Sequence, residues 1–433
     1  MKTINIGILG LGTVGTGVVD LLMRKGADLQ HRIGARLEIR KIALREPERP
    51  RTVTVDQSLL TTDAHEILKD PAVHIVVELI GGIKEAKEFS LEALRQGKHL
   101  VTANKALLAT HGREIYASAA RHKREVGFEA SVCAGVPVIR ALREGLVGNR
   151  ITCLMGIVNG TSNYILTKMS EQGRPFAEVL AEAQARGYAE ADPTLDVSGW
   201  DTAHKLQILV SIAYGSHIPL DRLAVEGIAE VHPSDIEYAH ELGYRVKLLA
   251  IAKESDGELE VRVHPTLIPE DHLLASVRGV YNGIYVVGDA AGPQMYYGRG
   301  AGQMPTASAV LSDIVEIARN IVDGRPSRTS VLTGSERSSE QGLRDITAVR
   351  TRYYLRFTAV DRPGVLSRIS GILGDHRISI ASVIQKGRAE RESVPLIMMT
   401  HEALEGGMRQ ALEGIARLDV VTGRTVCLRV EES

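Results

Sequence analysis

Six residues near the N-terminus restrict this chain more than any other feature. Gly10-Leu11-Gly12-Thr13-Val14-Gly15 is a G-x-G-x-x-G turn placed directly after an apolar run, Ile4–Leu9, and directly before a helical pattern, Val14–Lys25. The first glycine permits a tight turn, the second lets backbone approach a pyrophosphate, and the third lets helix pack closely on strand. The start of the helix adds N–H groups and partial positive charge for phosphates. A glycine turn in any α/β protein is the plain alternative, but the strand–loop–helix order favours a dinucleotide site.

The pattern around that turn extends it into a fold. Further strand candidates are Leu37–Leu44, Ile75–Leu79, His99–Thr102 and Val126–Ala130, and helical stretches Ala64–Leu68, Lys84–Gln96 and His111–His122 fall between them. Such alternation predicts an α/β chain with a Rossmann-type doubly wound parallel sheet over 1–135. A mixed α/β catalytic and dimerisation domain is expected over 136–304, from helical Ser162–Gln172, Phe176–Ala185 and Asp201–Ala213 and strand-like Ile151–Ile157, Leu259–Pro265 and Gly283–Val287. One amphipathic helix over 305–322 returns to the nucleotide domain, and 323–350, rich in Ser, Arg, Thr and Gly, reads as a linker. Over 351–433 the order is βαββαβ, a ferredoxin-like arrangement, with Val365, Leu366, Ile369, Ile372 and Leu373 on one helical face.

Composition narrows the function. A length of 433 residues suits two or three domains. Fifty-two basic against 53 acidic residues leave a formal net charge of -1, so no global positive field holds nucleic acid. Three cysteines, Cys133, Cys153 and Cys427, do not make a disulfide framework. With neither a signal-peptide pattern at the start nor an apolar stretch long enough for a bilayer, a cytoplasmic location is expected.

Two segments are dense in chemistry-bearing side chains. Thr102-Ala103-Asn104-Lys105 follows a strand at the carboxyl edge, where open α/β sheets bind ligands. The run Gly187–Lys205 delivers Glu190, Asp192 and Asp196 on a loop, and then Asp201 and Lys205 one helical turn apart. The dull reading is a helix-start charge with its salt-bridge partner. The sharper one is a dehydrogenase, in which Lys105 and Lys205 meet one oxygen, a lysine moves its proton, and the carboxylates hold a substrate ammonium. Arg45, at the end of the second strand where an acid would suit a ribose hydroxyl, points to a 2′-phosphate, hence NADP(H) over NAD(H), unless it is a solvated surface arginine.

Together the blocks Gly10–Gly15, Thr102–Lys105, Gly156–Tyr164 and Gly187–Lys205 resemble homoserine dehydrogenase, and Asp361-Arg362-Pro363-Gly364-Val365-Leu366 is similar to an ACT domain. No aspartate kinase segment precedes the nucleotide fold, so the resemblance is to the monofunctional form. It implies reversible, NAD(P)H-dependent reduction of L-aspartate 4-semialdehyde to L-homoserine, in threonine, methionine and isoleucine biosynthesis. By matching motif it gives Lys205 the proton transfer and sets Lys105 beside the reacting oxygen. Glu190 and Asp201, supported by Asp196, bind the amino-acid end. Gly10, Leu11, Gly12, Thr13, Val14, Gly15, Arg45, Thr102, Lys105, Gly187 and Gly302 lie against the cofactor. It also implies a sodium ion held by backbone carbonyls of Glu129, Val132, Ala134 and Val136, although Cys133 and Ala134 stand where the family commonly has glycines. Threonine as effector and a homodimer or homotetramer are further expectations.

Plainer readings stand beside these. Cys133 could be a nucleophile but reads better as a buried thiol, and His204 points about 100° from Lys205 on the helix, toward packing. The histidines show no zinc spacing. Gly364 suits either a ligand approach or a simple turn. The competing function is a nucleotide- and amino-acid-sensing regulator without catalysis, which leaves Glu190, Asp201, Lys105 and Lys205 unexplained.

Overall fold

Strand β1 (Lys2–Leu9) buries Ile4, Ile6, Ile8 and Leu9 completely, so apolar groups leave both of its faces and each face needs a cover. The computed structural model describes residues 1–325, 342–386 and 393–432, and most of the expected linker, 326–341, lies outside the described residues. The chain divides into two units. One holds Met1–Ile151, His204–Arg222 and the described residues from Val287 to 325. The other holds Thr152–Ala203, Leu223–Val286 and the described residues from Gly342 on. Among the described residues no helix is long and apolar enough to cross a membrane.

In the first unit β1 is joined by β2 (Ala35–Ala43), β3 (Leu60–Thr61), β4 (Ile75–Glu78), β5 (His99–Thr102) and β6 (Val126–Gly127). All pair in parallel, in the order β3-β2-β1-β4-β5-β6. The order reverses between β1 and β4, which opens a crevice at the carboxyl ends of those strands. One face is covered by α1 (Thr13–Ile33) and α11 (Gln303–Asp323), through Val18, Leu21, Leu22, Ala307, Val310 and Ile314. Helices α2 (His65–Leu68) and α3 (Lys84–Arg95) add Ile67, Leu68 and Ala93 to the core on Leu9 and Val76. Helix α4 (Lys105–Arg121), the short α5 (Val138–Arg140) and strand β12 (Gly292–Arg299) also belong here.

Three boundaries differ from the sequence reading, each for a physical reason. Helix α1 runs eight residues past Lys25 in spite of Gly26, because Leu29 and Ile33 continue its buried stripe as far as the left-handed cap Gly34. That burial outweighs a glycine cost of about 1 kcal/mol. Helix α4 begins six residues before His111, since the Asn104 side chain accepts the Leu107 N–H and caps it. Strand β6 stops at Gly127, where a Cβ would lie 2.6 Å from Asp313 Cβ, and the chain bends into a 3-10 turn at Glu129–Ser131.

The second unit contains β7 (Ile151–Ile157), β8 (Ala224–Val225), β9 (Tyr244–Ser255), β10 (Glu258–Pro269) and β11 (Tyr281–Gly288), with α6 (Gly160–Gln172), α7 (Phe176–Ala185), α8 (Thr194–Val197), α9 (Trp200–Tyr214) and α10 (Pro233–Glu241). Helix α9 starts in this unit and continues into the first. The C-terminal elements are β13 (Gly342–Leu343), β14 (Arg350–Val360), α12 (Val365–Asp375), β15 (Ile380–Gln385), β16 (Ser393–Thr400), β17 (Ala403–Leu404), α13 (Glu405–Ala416) and β18 (Val426–Val430). Their sheet order β18-β14-β16-β15 is the antiparallel ferredoxin-like one, and it is continuous with the central sheet through β18 and β10. One edge of β10 is fully paired with β9, and the other is shared end to end by β13, β8 and β18. On α12 the buried residues are Val365, Ile369 and Leu373, while Leu366, at the rim of that stripe, is exposed.

Candidate active site

The glycine turn lies in the crevice where the strand order reverses. Gly10 has φ +100, and a Cβ there would lie 2.5 Å from the Leu79 carbonyl oxygen. A Cβ on Gly15 would lie 2.2 Å from the Gly10 oxygen, so α1 and the loop touch through bare backbone. Gly12 is different: a Cβ there would meet nothing within 4 Å. It caps α1 with no side-chain bond, and the first turn of the helix carries no acid. The N–H groups of Thr13 and Val14 therefore sit at a helix start with no acid in that turn to compete for them, which suits a phosphate.

A cleft of about 800 Å³ opens over this loop, lined among others by Gly10, Gly12, Thr13, Arg45, Arg49, Arg51 and Gln303. Arg45 forms an ion pair with Glu85, and its side chain is 83% exposed. Arg49 and Arg51 were not singled out from sequence. Arg51 donates to the Leu11 carbonyl at 3.1 Å and to the Glu46 carbonyl at 2.8 Å, which ties the glycine loop to the loop after β2. Gly302, at φ +119, is the cap residue before α11, and Gln303 follows it into the cleft wall. Gly187 ends α7 at φ +72, where its N–H bonds the Gln184 carbonyl.

Thr102 is fully buried and donates to Glu78 Oε2 at 2.6 Å, directly across the β4–β5 pairing. Glu78 also accepts the Ile80 N–H at 3.0 Å, and burial pushes its carboxyl above the ordinary range. Asn104 donates from its backbone to Thr102 Oγ1 and from its side chain to the Gly82 carbonyl. This network fixes both loops at the carboxyl edge, and half-buried Lys105 is the first helical residue beyond it. Glu78 went unnoticed in the sequence, since a lone acid closing an apolar strand carries no local signal.

In the second unit, Asn159 draws the acids together. Its Nδ2 donates to Asp196 Oδ1 and to Asp201 Oδ2, each at 2.7 Å, while its Oδ1 accepts the Ser162 N–H and caps α6. Ser162 Oγ donates to the Asp196 carbonyl at 2.9 Å. Asp201 is 4% exposed and Asp196 half-buried, so two carboxylates share one neutral amide in a partly closed setting. A cation brought close to two such carboxylates is stabilised by both. Glu190 is exposed on the loop after Gly187, held by Gln184 through the Glu190 and Ala191 carbonyls. Asp192 instead turns back on its own loop, accepting from Thr194 N and Oγ1 just ahead of α8, which takes it out of the candidate set. Half-buried Lys205 is one turn beyond Asp201 along α9.

The segment expected to bind an ion is buried throughout at Glu129, Val132, Ala134 and Val136. Cys133 and Ala134 have φ of +52 and +33, a left-handed backbone costing roughly 1–2 kcal/mol for each non-glycine residue. The Glu129 carboxylate accepts the Ile139 and Arg140 N–H groups at 2.9 Å, and its backbone N–H donates to Asp313. The side chain is thus a helix cap, and only the backbone of Glu129 is available to an ion. The buried Cys133 thiol is free of disulfides.

Comparison with known proteins places this geometry. The chain matches the homoserine dehydrogenase family model over residues 137–315, the model of that enzyme's NAD-binding domain over 10–129, and the ACT domain model over 353–419. It is 46% identical to the homoserine dehydrogenase of Pseudomonas aeruginosa, over 100% of both chains. A crystal structure of a homoserine dehydrogenase from Thiobacillus denitrificans superposes with a TM-score of 0.92 at 45% identity, covering 100% of this chain and 99% of that one. A hyperthermophilic archaeal homoserine dehydrogenase in complex with NADPH superposes with a TM-score of 0.64 at 27% identity, covering 75% of this chain and 99% of that one.

Proposed function

This chain belongs to the homoserine dehydrogenase family, and from that premise we propose how its residues interconvert L-aspartate 4-semialdehyde and L-homoserine. The alternative of a non-catalytic sensor gives way to an oxidoreductase. The observation that carries the assignment of parts is the pair of carboxylates on Asn159. Asp201 and Asp196 take the substrate's ammonium group, and Glu190, on its exposed loop, completes the grip. This holds the amino-acid end still while the side-chain end reacts.

A nicotinamide held in the cleft would supply hydride to, or accept it from, the substrate's C4. Lys205 gives its proton to the carbonyl oxygen in the reducing direction and takes it back from the alcohol in the other. Lys105, fixed at the start of α4 by the Glu78–Thr102–Asn104 network, shares that oxygen. Thr102, Gly187 and Gly302 are the residues that would neighbour the cofactor, and the loop Gly10–Gly15 would hold its pyrophosphate. The open space beside Gly12 is the structural support for that placement. Arg45 and Arg49 on the cleft wall suit a 2′-phosphate, so NADP(H) is preferred over NAD(H).

Sodium on the carbonyls of Glu129, Val132, Ala134 and Val136 would offset the left-handed strain at Cys133 and Ala134. Gly364, left-handed at φ +87 at the start of α12, leaves backbone open for an amino-acid effector, with threonine as the expected one. We retain the division 1–135, 136–304, 305–322, 323–350 and 351–433, a homodimer or homotetramer, and a cytoplasmic location as parts of this proposal. Initial rates of semialdehyde reduction with NADPH and with NADH, each with and without threonine, test it. The expected result is a kcat/KM at least about tenfold higher with NADPH, the worth of one charge-assisted contact, and inhibition by threonine. Equal use of both cofactors would remove the arginine assignment.

A further inference from the structure

Glu226 follows β8 in the second unit, and its loop is locked to the substrate loop by backbone. Its own N–H bonds the Val263 carbonyl at 2.8 Å, and two residues on, the Ile228 N–H bonds the Val197 carbonyl at 2.8 Å. At Gly227 a Cβ would lie 2.3 Å from Val197 O and 2.7 Å from Ser198 Cα, while at Gly199 it would lie 3.1 Å from Glu226 O. Neither contact has slack. Val197 directly follows Asp196, whose carboxylate shares Asn159 with Asp201.

The same Glu226 is gripped from the C-terminal segment. Arg429 on β18 donates Nη1 to Glu226 Oε2 at 3.0 Å and Nη2 to Oε1 at 2.8 Å, a bidentate pair. Arg429 is itself 5% exposed and anchored on Glu405, through Nε at 2.9 Å and Nη2 at 2.6 Å, and Tyr353 donates to that carboxylate. Strands β8 and β18 follow one another along a single edge of β10, which is what brings the two side chains together.

We infer that Glu226 is a positioning residue for the carboxylates of Asp196 and Asp201, held in place by Arg429 of the C-terminal segment. The chain of contacts runs from Glu405 through Arg429 to Glu226, then through the adjoining Gly227 and Ile228 backbone to Val197, and so to Asp196 and Asp201. This rests on the reading of those two acids as the ammonium site. Glu226 is suited to test it, because its side chain is 46% exposed and its removal leaves Arg429 still paired with Glu405.

The experiment uses the full chain with Glu226→Ala, Glu226→Asp and, in parallel, Asp201→Asn, assayed for homoserine oxidation and for thermal unfolding. Glu226→Ala should raise the KM for homoserine by about 3- to 10-fold, inside the range for residues that act through a contact network. The KM for NADP+, kcat and the unfolding midpoint should stay near wild type, and Glu226→Asp, which keeps the charge, should recover part of the loss. If Asp201→Asn raises the KM for homoserine while Glu226→Ala leaves it unchanged, the inference is overturned and the ammonium site stands. If neither variant moves it, both fall. A fall in the midpoint with both KM values rising together would also overturn it, as general destabilisation.

Discussion

Asp313 shows how far a single residue depends on surroundings that its own sequence neighbours do not reveal. It is buried on α11, accepts the Glu129 N–H at 2.9 Å and an Arg140 N–H at 3.3 Å, and leaves no room for a side chain at position 127. Burial and the neighbouring Glu129 charge raise its carboxyl to about 7. A carboxyl raised in the folded state favours folding while it holds its proton. That contribution is complete below the ordinary value of 3.8 and is lost as pH rises through about 7. Asp313→Asn keeps an acceptor for Glu129 and has no such titration. Thermal midpoints measured across that window should therefore fall with rising pH more steeply in wild type than in Asp313→Asn; parallel profiles would contradict the assignment. Sequence gave access to residues whose need is local, such as Gly10, with its left-handed backbone and its tight approach to Leu79. Asn159, Glu78 and Arg51 were hidden because the partners that give them their place, Asp201, Thr102 and Leu11, lie 24 to 42 positions away.

At the scale of elements, α1 and its loop carry the sharpest contrast. Gly15→Ala puts a methyl group into backbone 2.2 Å away, and should cost roughly 3 kcal/mol or more of stability, as overpacking against an unyielding partner does. Gly12→Ala meets open space and has an ordinary φ of -78, so the chain should fold with a loss of no more than about 1 kcal/mol. Yet the added methyl occupies ground assigned to the pyrophosphate, and NADPH affinity should drop by about tenfold or more. Denaturant unfolding and fluorescence titration of NADPH separate the two outcomes; unchanged affinity in Gly12→Ala would move the phosphates elsewhere. Elements with strong periodicity were legible to within a few residues, as with α3, α7, β5 and β7. Strand β9 was not, because Lys247 interrupts its apolar run while being buried, its Nζ donating to the Val277 carbonyl. Helix α10 was missed as well, and its start is a capping box at His232 and Asp235 that no Ser or Thr announces.

Over the whole chain, the order of parts was readable because each part declares its own period: alternating strand and helix first, a mixed region, then βαββαβ. What the order did not reveal is that the C-terminal sheet continues the central one through β10 and β18. Fully buried Arg262 pairs there with Glu260 and Glu431, and burial with the nearby Arg429 and Arg262 charges holds His264 far below its ordinary value, hence neutral. Buried ion pairs of this kind stabilise little by themselves, but removing one partner leaves a buried charge uncompensated and is costly. Turnover is the property in which every part takes its share. The most direct measurement is kcat for homoserine oxidation by Lys205→Ala, alongside titration of the same protein with NADPH. The account predicts a kcat lower by about 10²- to 10⁴-fold with cofactor affinity retained; a kcat within a few fold of wild type would show that the proton travels by another group.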